Sequence, residues 1–224
     1  MNASIIKQLI LKDWYFNRLP LLLFTIIAVL SLGLFSINAK STFYIGLVLI
    51  ISLVVTVGAL LIFSSVVNER KNQTLAFIMS LPLSFLDYTK AKIISNLSVF
   101  LVFWSILVTG ILLIIYYSSH LPNGLIPISV IIMGELLVSY VLVLAVALIK
   151  ESETWTIVVM GITNVGISLF MFLVAGLSDI GPYIEGPIAL WNSTAISIVI
   201  VELILAISLI GIIFYLQSRK KDYL

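Results

Sequence analysis

Two carboxylates stand alone in long apolar runs, Glu135 within 125–149 and Glu202 within 187–216. Counting helical rise from Pro127 and Thr194, both lie about 12 Å inside their runs. An ionisable group at such depth is costly and normally faces protein or a water-filled cavity. It can attract a cation, hold a proton, bond a neighbouring hydroxyl or snorkel outward. Asn164, in a third apolar run, is the remaining polar candidate for the wall of a pathway. The ingredients of catalysis are missing. There is no cysteine, which excludes disulfides, cysteine-zinc sites and thiol nucleophiles. His120 is the single histidine, so no paired-histidine metal site can be built. No Ser/His/Asp set is apparent, and no G-x-x-x-x-G-K-[ST] loop is present to cradle ATP phosphates. The chain reads as a non-enzyme, with no metal or cofactor of its own and no basic patch suited to nucleic acid.

A second group of residues is concentrated in the segment from Asn68 to Lys92. It opens on Glu69, Arg70 and Lys71. From Thr74 onward, Leu75, Ile78 and Met79 follow the i, i+3, i+4 spacing of a short helix with one apolar face. Pro82 ends that helix, because the residue before a proline avoids the helical region. Ser84 and Asp87 then have the S-x-x-D spacing of a capping box and start a new helix. That helix, continuous from Phe85 to Tyr117, would be roughly 50 Å long, whereas a hydrocarbon core is only about 30 Å thick. Its first turns must project beyond the membrane. The short helix at 74–81 is thus slung between two long spans, either as an element that passes force to them from a soluble partner or as an interfacial loop helix without one.

These residues have to be positioned by elements whose solvent is lipid. Apolar residues make up 62% of the 224 and charged residues 10%, and mean hydropathy is +1.25. Soluble domains carry about 25% charged residues, and a chain of this length could not bury so much apolar surface in water. About 20 apolar residues cross the hydrocarbon core as a helix. Six runs qualify, giving an all-α polytopic fold with spans at about 19–39, 42–67, 93–117, 125–149, 155–177 and 194–216. All must be helices, since lipid offers no partner to an open backbone. Eleven of the twelve Lys and Arg residues fall on one side of this plan, with Lys40 alone on the other. The positive-inside rule places that basic side, and both termini, in the cytoplasm. The expected setting is a bacterial-type cytoplasmic membrane. Residues 1–18 form a basic segment read either as an interfacial helix or as a topogenic tail. The external loop 178–193, with its two Gly-Pro pairs, is either a re-entrant lid or a plain interfacial loop.

The run Glu69-Arg-Lys-Asn-Gln-Thr-Leu-Ala-Phe-Ile-Met-Ser-Leu-Pro-Leu-Ser84 resembles the corresponding loop of type-2 ABC exporter permeases. Glu69, Thr74, Leu75, Ser80, Leu81, Pro82, Ser84 and Lys92 fit that pattern, while Gln73 stands where glycine is usual and Phe85 where arginine is common. The six-span plan and the basic amino-terminal segment extend the resemblance along the chain. It implies a transport subunit that pairs with a second permease chain, itself or a sister, above two ABC ATPase subunits. ATP and Mg would be held by those ATPases. The loop helix would couple to them through Glu69, Thr74, Leu75, Ile78, Met79, Leu81, Pro82 and Ser84. The cargo would be amphipathic or hydrophobic (a peptide, an antibiotic or a lipid), passing Glu135, Asn164 and Glu202. A proton-coupled secondary transporter and a non-transporting accessory or immunity protein are the alternatives. The topology is testable in a chain free of cysteine. Glu185→Cys should react with an impermeant thiol reagent in sealed cells, whereas Lys71→Cys should react only after permeabilisation; the opposite pattern inverts the chain.

Overall fold

The structure is a computed structural model that describes residues 3–37, 40–80 and 83–219. Its helices are α1 (Ala3–Leu32), α2 (Lys40–Ile62), α3 (Asn68–Lys71), α4 (Thr74–Met79), α5 (Phe85–Tyr117), α6 (Leu125–Lys150), α7 (Glu153–Ala175) and α8 (Ser193–Ser218). Six helical stretches are long and apolar enough to cross a membrane. The chain is thus an all-helical, multi-pass membrane protein, and no strand occurs among the described residues.

The hub is α6. Within its most apolar stretch 72% of residues are buried, against 11% for α7 and 17% for α8. It packs against α2, α5, α7 and α8, while α1 lies on α5 and α2. Peripheral helices expose Leu, Ile, Val and Phe on their outer faces, as lipid-facing helices do. Close approach at the hub depends on a small residue. Gly58 of α2 faces Tyr140 of α6, whose ring stacks on Phe100 of α5 at 3.7 Å between centroids. A methyl group at position 58 would come within 2.9 Å of the Tyr140 ring. Such small residues let helix backbones meet in lipid, where packing has to replace the hydrophobic drive.

Side-chain bonds show which helix ends share a side. Lys92 at the start of α5 reaches Asp13 of α1, Arg70 after α2 reaches the Ala147 carbonyl at the end of α6, and Gln217 at the end of α8 reaches the Leu148 carbonyl. This is the end where the cationic residues cluster. At the opposite end the Gly124 amide donates to the Gly186 carbonyl across two loops, and Asn192 caps α8 by accepting from the Ala195 amide.

Several element boundaries differ from the sequence expectation. Residues 3–18 are not a helix separate from the first span: α1 runs unbroken from Ala3 through Pro20 to Leu32. Its buried stripe is Leu9, Asp13 and Asn17, with Phe16 exposed. Two of the residues that α1 turns inward, Asp13 and Asn17, are thus polar. Helix structure also continues past the second span, through a π-helical turn at Phe63–Val67 into α3, so Glu69 and Arg70 sit on a helix rather than in a loop. The expected start of α5 is found as drawn, with the Ser84 hydroxyl accepting from the Asp87 amide at 3.1 Å. The loop between α7 and α8 contains a short 3-10 turn at Gly181–Tyr183 and no other helix.

Between α3 and α4 the chain reverses at Gln73, whose φ is 57°. This is the left-handed region that a side chain enters at a cost of about 1–2 kcal/mol and glycine enters freely. Gln73→Gly should therefore leave the thermal melting point in detergent unchanged or higher, whereas Gln73→Val should lower stability by about 1–2 kcal/mol.

Candidate functional site: a buried ion cluster beneath a short helix

Polar side chains from α1, from the α2–α3 junction and from α5 converge at the basic end of the bundle. Lys92 has no exposed side-chain surface. Its ammonium donates to Asp13 Oδ1 at 3.1 Å and Oδ2 at 2.9 Å, and to Glu69 Oε1 at 2.7 Å. Lys12, about one-third exposed, also pairs with Glu69 and approaches Asp13 to 3.6 Å. Two cations thus offset two buried carboxylates. The remaining acceptor sites are filled as well: the Tyr88 hydroxyl donates to Glu69 Oε2 at 3.1 Å and the Ser95 hydroxyl to Asp13 Oδ2 at 2.9 Å. Buried charges persist only when paired and bonded in this way.

A neutral layer lies against the charged one. Asn96 donates to the Ser65 hydroxyl at 2.8 Å and to the Lys92 carbonyl at 2.9 Å. Asn17 donates to the Asp13 carbonyl and accepts from Ser64 at 2.8 Å. Ser64 and Ser65 belong to the π-helical turn, and π turns often mark functional positions because they shift the facing of one residue. Here the turn carries both serines and, one turn further on, Glu69. Local helix periodicity gives no sign of it.

The short helix α4 sits directly on this cluster. The Thr74 hydroxyl donates to the Glu69 carbonyl at 2.8 Å. Ile78 is buried against Leu9, Leu83, Tyr88 and Ala91, with Leu75 and Met79 partly buried beside it. The apolar face predicted from spacing exists, and it is turned onto α1 and α5. Phe77, 69% exposed, is the large apolar side chain that α4 presents outward. Glu69, assigned to partner coupling by resemblance, spends its carboxylate inside the chain. Ser84 is the cap of α5, and Leu81 and Pro82 lie outside the described residues.

Comparison with family models, with curated proteins and with solved structures found no match. The functional reading therefore rests on the residues themselves.

The three polar residues proposed for a pathway wall do not line one groove. Asn164 is exposed on α7 and lines a narrow groove with Gly58 and Ala59 of α2 and Ser139 and Tyr140 of α6. The Tyr140 hydroxyl is buried there without a partner. Toward the opposite end a separate cavity of about 470 Å³ lies among α2, α6, α7 and the adjoining loops, with largely apolar walls and with His120 and Glu185 among its lining residues. Glu202 lies elsewhere, against Gly134 at the α6–α8 contact. Glu135, on α6, accepts from Ser139 at 3.0 Å. No group of three or more His, Cys, Asp or Glu residues able to hold a metal occurs among the described residues.

At the basic end Arg70 adds a second tie. It donates to the Ala147 carbonyl at 2.6 Å, one of the carbonyls left open at the α6 terminus, and lies 3.6 Å from Glu151. Lys71 pairs with Glu153 at 3.2 Å on the exposed side. The α2–α3 segment is thus fastened to α6–α7 on one side and to α1 and α5 on the other.

The cluster predicts a strongly non-additive pattern. Lys92→Met leaves two carboxylates facing one cation and should cost about 3–5 kcal/mol, the range for breaking one side of a buried ion pair. Adding Asp13→Asn to Lys92→Met should restore much of that loss, because the excess charge is gone. Thermal melts of the single and double variants in detergent measure the coupling, and simple additivity would deny the network.

Proposed function

We propose that this chain is the membrane-spanning permease subunit of an ATP-driven exporter, with ATP hydrolysed by a separate ABC ATPase. The observation that carries this reading is α4: a two-turn helix with one outward aromatic, seated on an ion cluster that joins three spans at the basic end. A load applied to α4 reaches Glu69 through the Thr74 bond, and from there α1 and α5 through Lys92 and Asp13. The unbroken 33-residue α5 carries displacement across the membrane. An element without a partner has no need of this connection.

On this reading the basic end and both termini are cytoplasmic, in accord with the positive-inside rule. Phe77 and the exposed Gln73, Thr74 and Ser80 form the surface for the ATPase groove, in place of the inward Leu75–Ile78–Met79 face. The open side of the α2–α6–α7 groove faces a second permease chain, itself or a sister, and the two grooves enclose the pathway. Its walls are Val, Ile, Leu and Met with the hydroxyls of Ser139, Tyr140 and Thr163 and the amide of Asn164. Such a wall suits an amphipathic or lipid-like cargo, because a strongly hydrophilic one would lose hydration without replacement bonds.

Affinity purification in mild detergent, read by mass spectrometry, tests the assembly: a Walker-motif ATPase should co-purify. Phe77→Asp should weaken its retention by about 30-fold, equivalent to losing a central aromatic anchor of about 2 kcal/mol. The same variant should keep the parental melting point, since Phe77 touches little of its own chain. Full retention and unchanged cargo-stimulated ATP hydrolysis in Phe77→Asp would remove α4 from the mechanism.

A further inference from the structure

Glu202 is the described carboxylate whose position is hardest to explain as packing. Its side chain is about 5% exposed, on α8 in the interior of an apolar span. Both carboxyl oxygens are buried, and neither has a hydrogen-bond partner. The contact is close by construction. A Cβ at position 134 would lie 2.0 Å from Glu202 Oε2, so the carboxyl group rests against bare backbone of α6 in a gap that exists only because residue 134 is glycine.

The surroundings supply no counter-charge. The titratable groups of α6 within the span are Glu135 and Tyr140, and neither is a cation. Helix α5, also packed on α8, has no ionisable side chain from Ile93 to Ile115. On α8 itself the other titratable residue is Tyr215, more than three turns away. Lys150 and Arg219 stand at the basic ends of their helices. A carboxylate ion with no cation and no donor is strongly disfavoured away from water. A metal ion would need more oxygen ligands than Glu202 and Glu135 provide. An organic cation has no room where the carboxyl group touches the opposing backbone. A proton needs neither ligands nor space.

We propose that Glu202 is a proton-binding site of the transmembrane bundle, occupied while α6 and α8 are packed at Gly134 and vacated when they part. In the packed state the group is a neutral carboxylic acid. When the helices separate, water enters, the O–H bond breaks and the proton passes to water, leaving a hydrated carboxylate. Glu135, half-buried, accepts from Ser139 and supplies neither a cation nor a donor to Glu202. The packing of α6 on α8 is thereby linked to pH whether or not an ATPase partner drives the chain.

Infrared difference spectroscopy of the purified protein in lipid bilayers tests this. A protonated carboxyl C=O band should be present at neutral pH, shift in heavy water, and vanish in Glu202→Gln. The band should survive in Glu135→Gln. Glu202→Gln is the neutral isostere and should fold with the parental melting point. A second measurement stands independently of that variant: in native membranes dicyclohexylcarbodiimide, which reacts with protonated buried carboxyls, should modify Glu202, as read by peptide mass, and modification should fall as pH rises. A spectrum with no acid band, or one whose band is lost in Glu135→Gln and kept in Glu202→Gln, would overturn the assignment. So would carbodiimide modification confined to Glu135.

Discussion

A lysine ammonium with no exposed surface has to be neutralised where it stands, and the fold at the basic end follows from how Lys92 meets that demand. Asp13 comes from α1 and Glu69 from beyond the π-helical turn of α2, so satisfying one cation on α5 fixes three helices against one another. Lys12, Tyr88 and Ser95 complete the bonding of the two carboxylates. Replacing any one of these groups by an apolar one exposes the rest to the full cost of desolvation. The arrangement is thus all or nothing, which is what rigid coupling between helices requires.

That cluster explains features that would otherwise be unrelated. Residues 3–18 are the first part of α1, and there Asp13 and Asn17 find partners on α5 and on the π-helical turn. Helix α4 keeps its place because Leu9, Tyr88 and Ala91, the residues that roof the ion cluster, also form the floor under Ile78. The exposed aromatic of α4 is left over after this packing, and a leftover aromatic on a helix so firmly seated is suited to meet another protein.

The bundle divides its polar groups by task. The charged groups of the Asp13–Glu69–Lys92 cluster at the basic end are paired and bonded. Those along α2, α6 and α7 line a groove. Glu202 belongs to neither set, since it is sealed between α6 and α8 without a partner. The three pathway candidates looked equivalent in the sequence because each is a single polar residue in an apolar run. They differ only in azimuth around their helices. A near-uniform apolar background hides azimuth, since a lipid-facing and a core-facing leucine read the same.

The amino-acid sequence by itself determined the six spans, the break at Pro122–Gly124, the cap at Ser84 and the concentration of basic residues at one end. Length of apolar run, turn chemistry and charge are local properties that no packing can reverse in lipid. It also gave the apolar face of α4 from its spacing. Tertiary structure alone decided which way that face points, that Glu69 is an interior group and that Glu202 lies against Gly134. Glu69 depends on partners 19 to 57 residues away along the chain, and the other two depend on contacts with other helices. A buried charge announces itself in sequence only as a charge; that it is buried follows from the groups that neutralise it, and those are assembled by the fold.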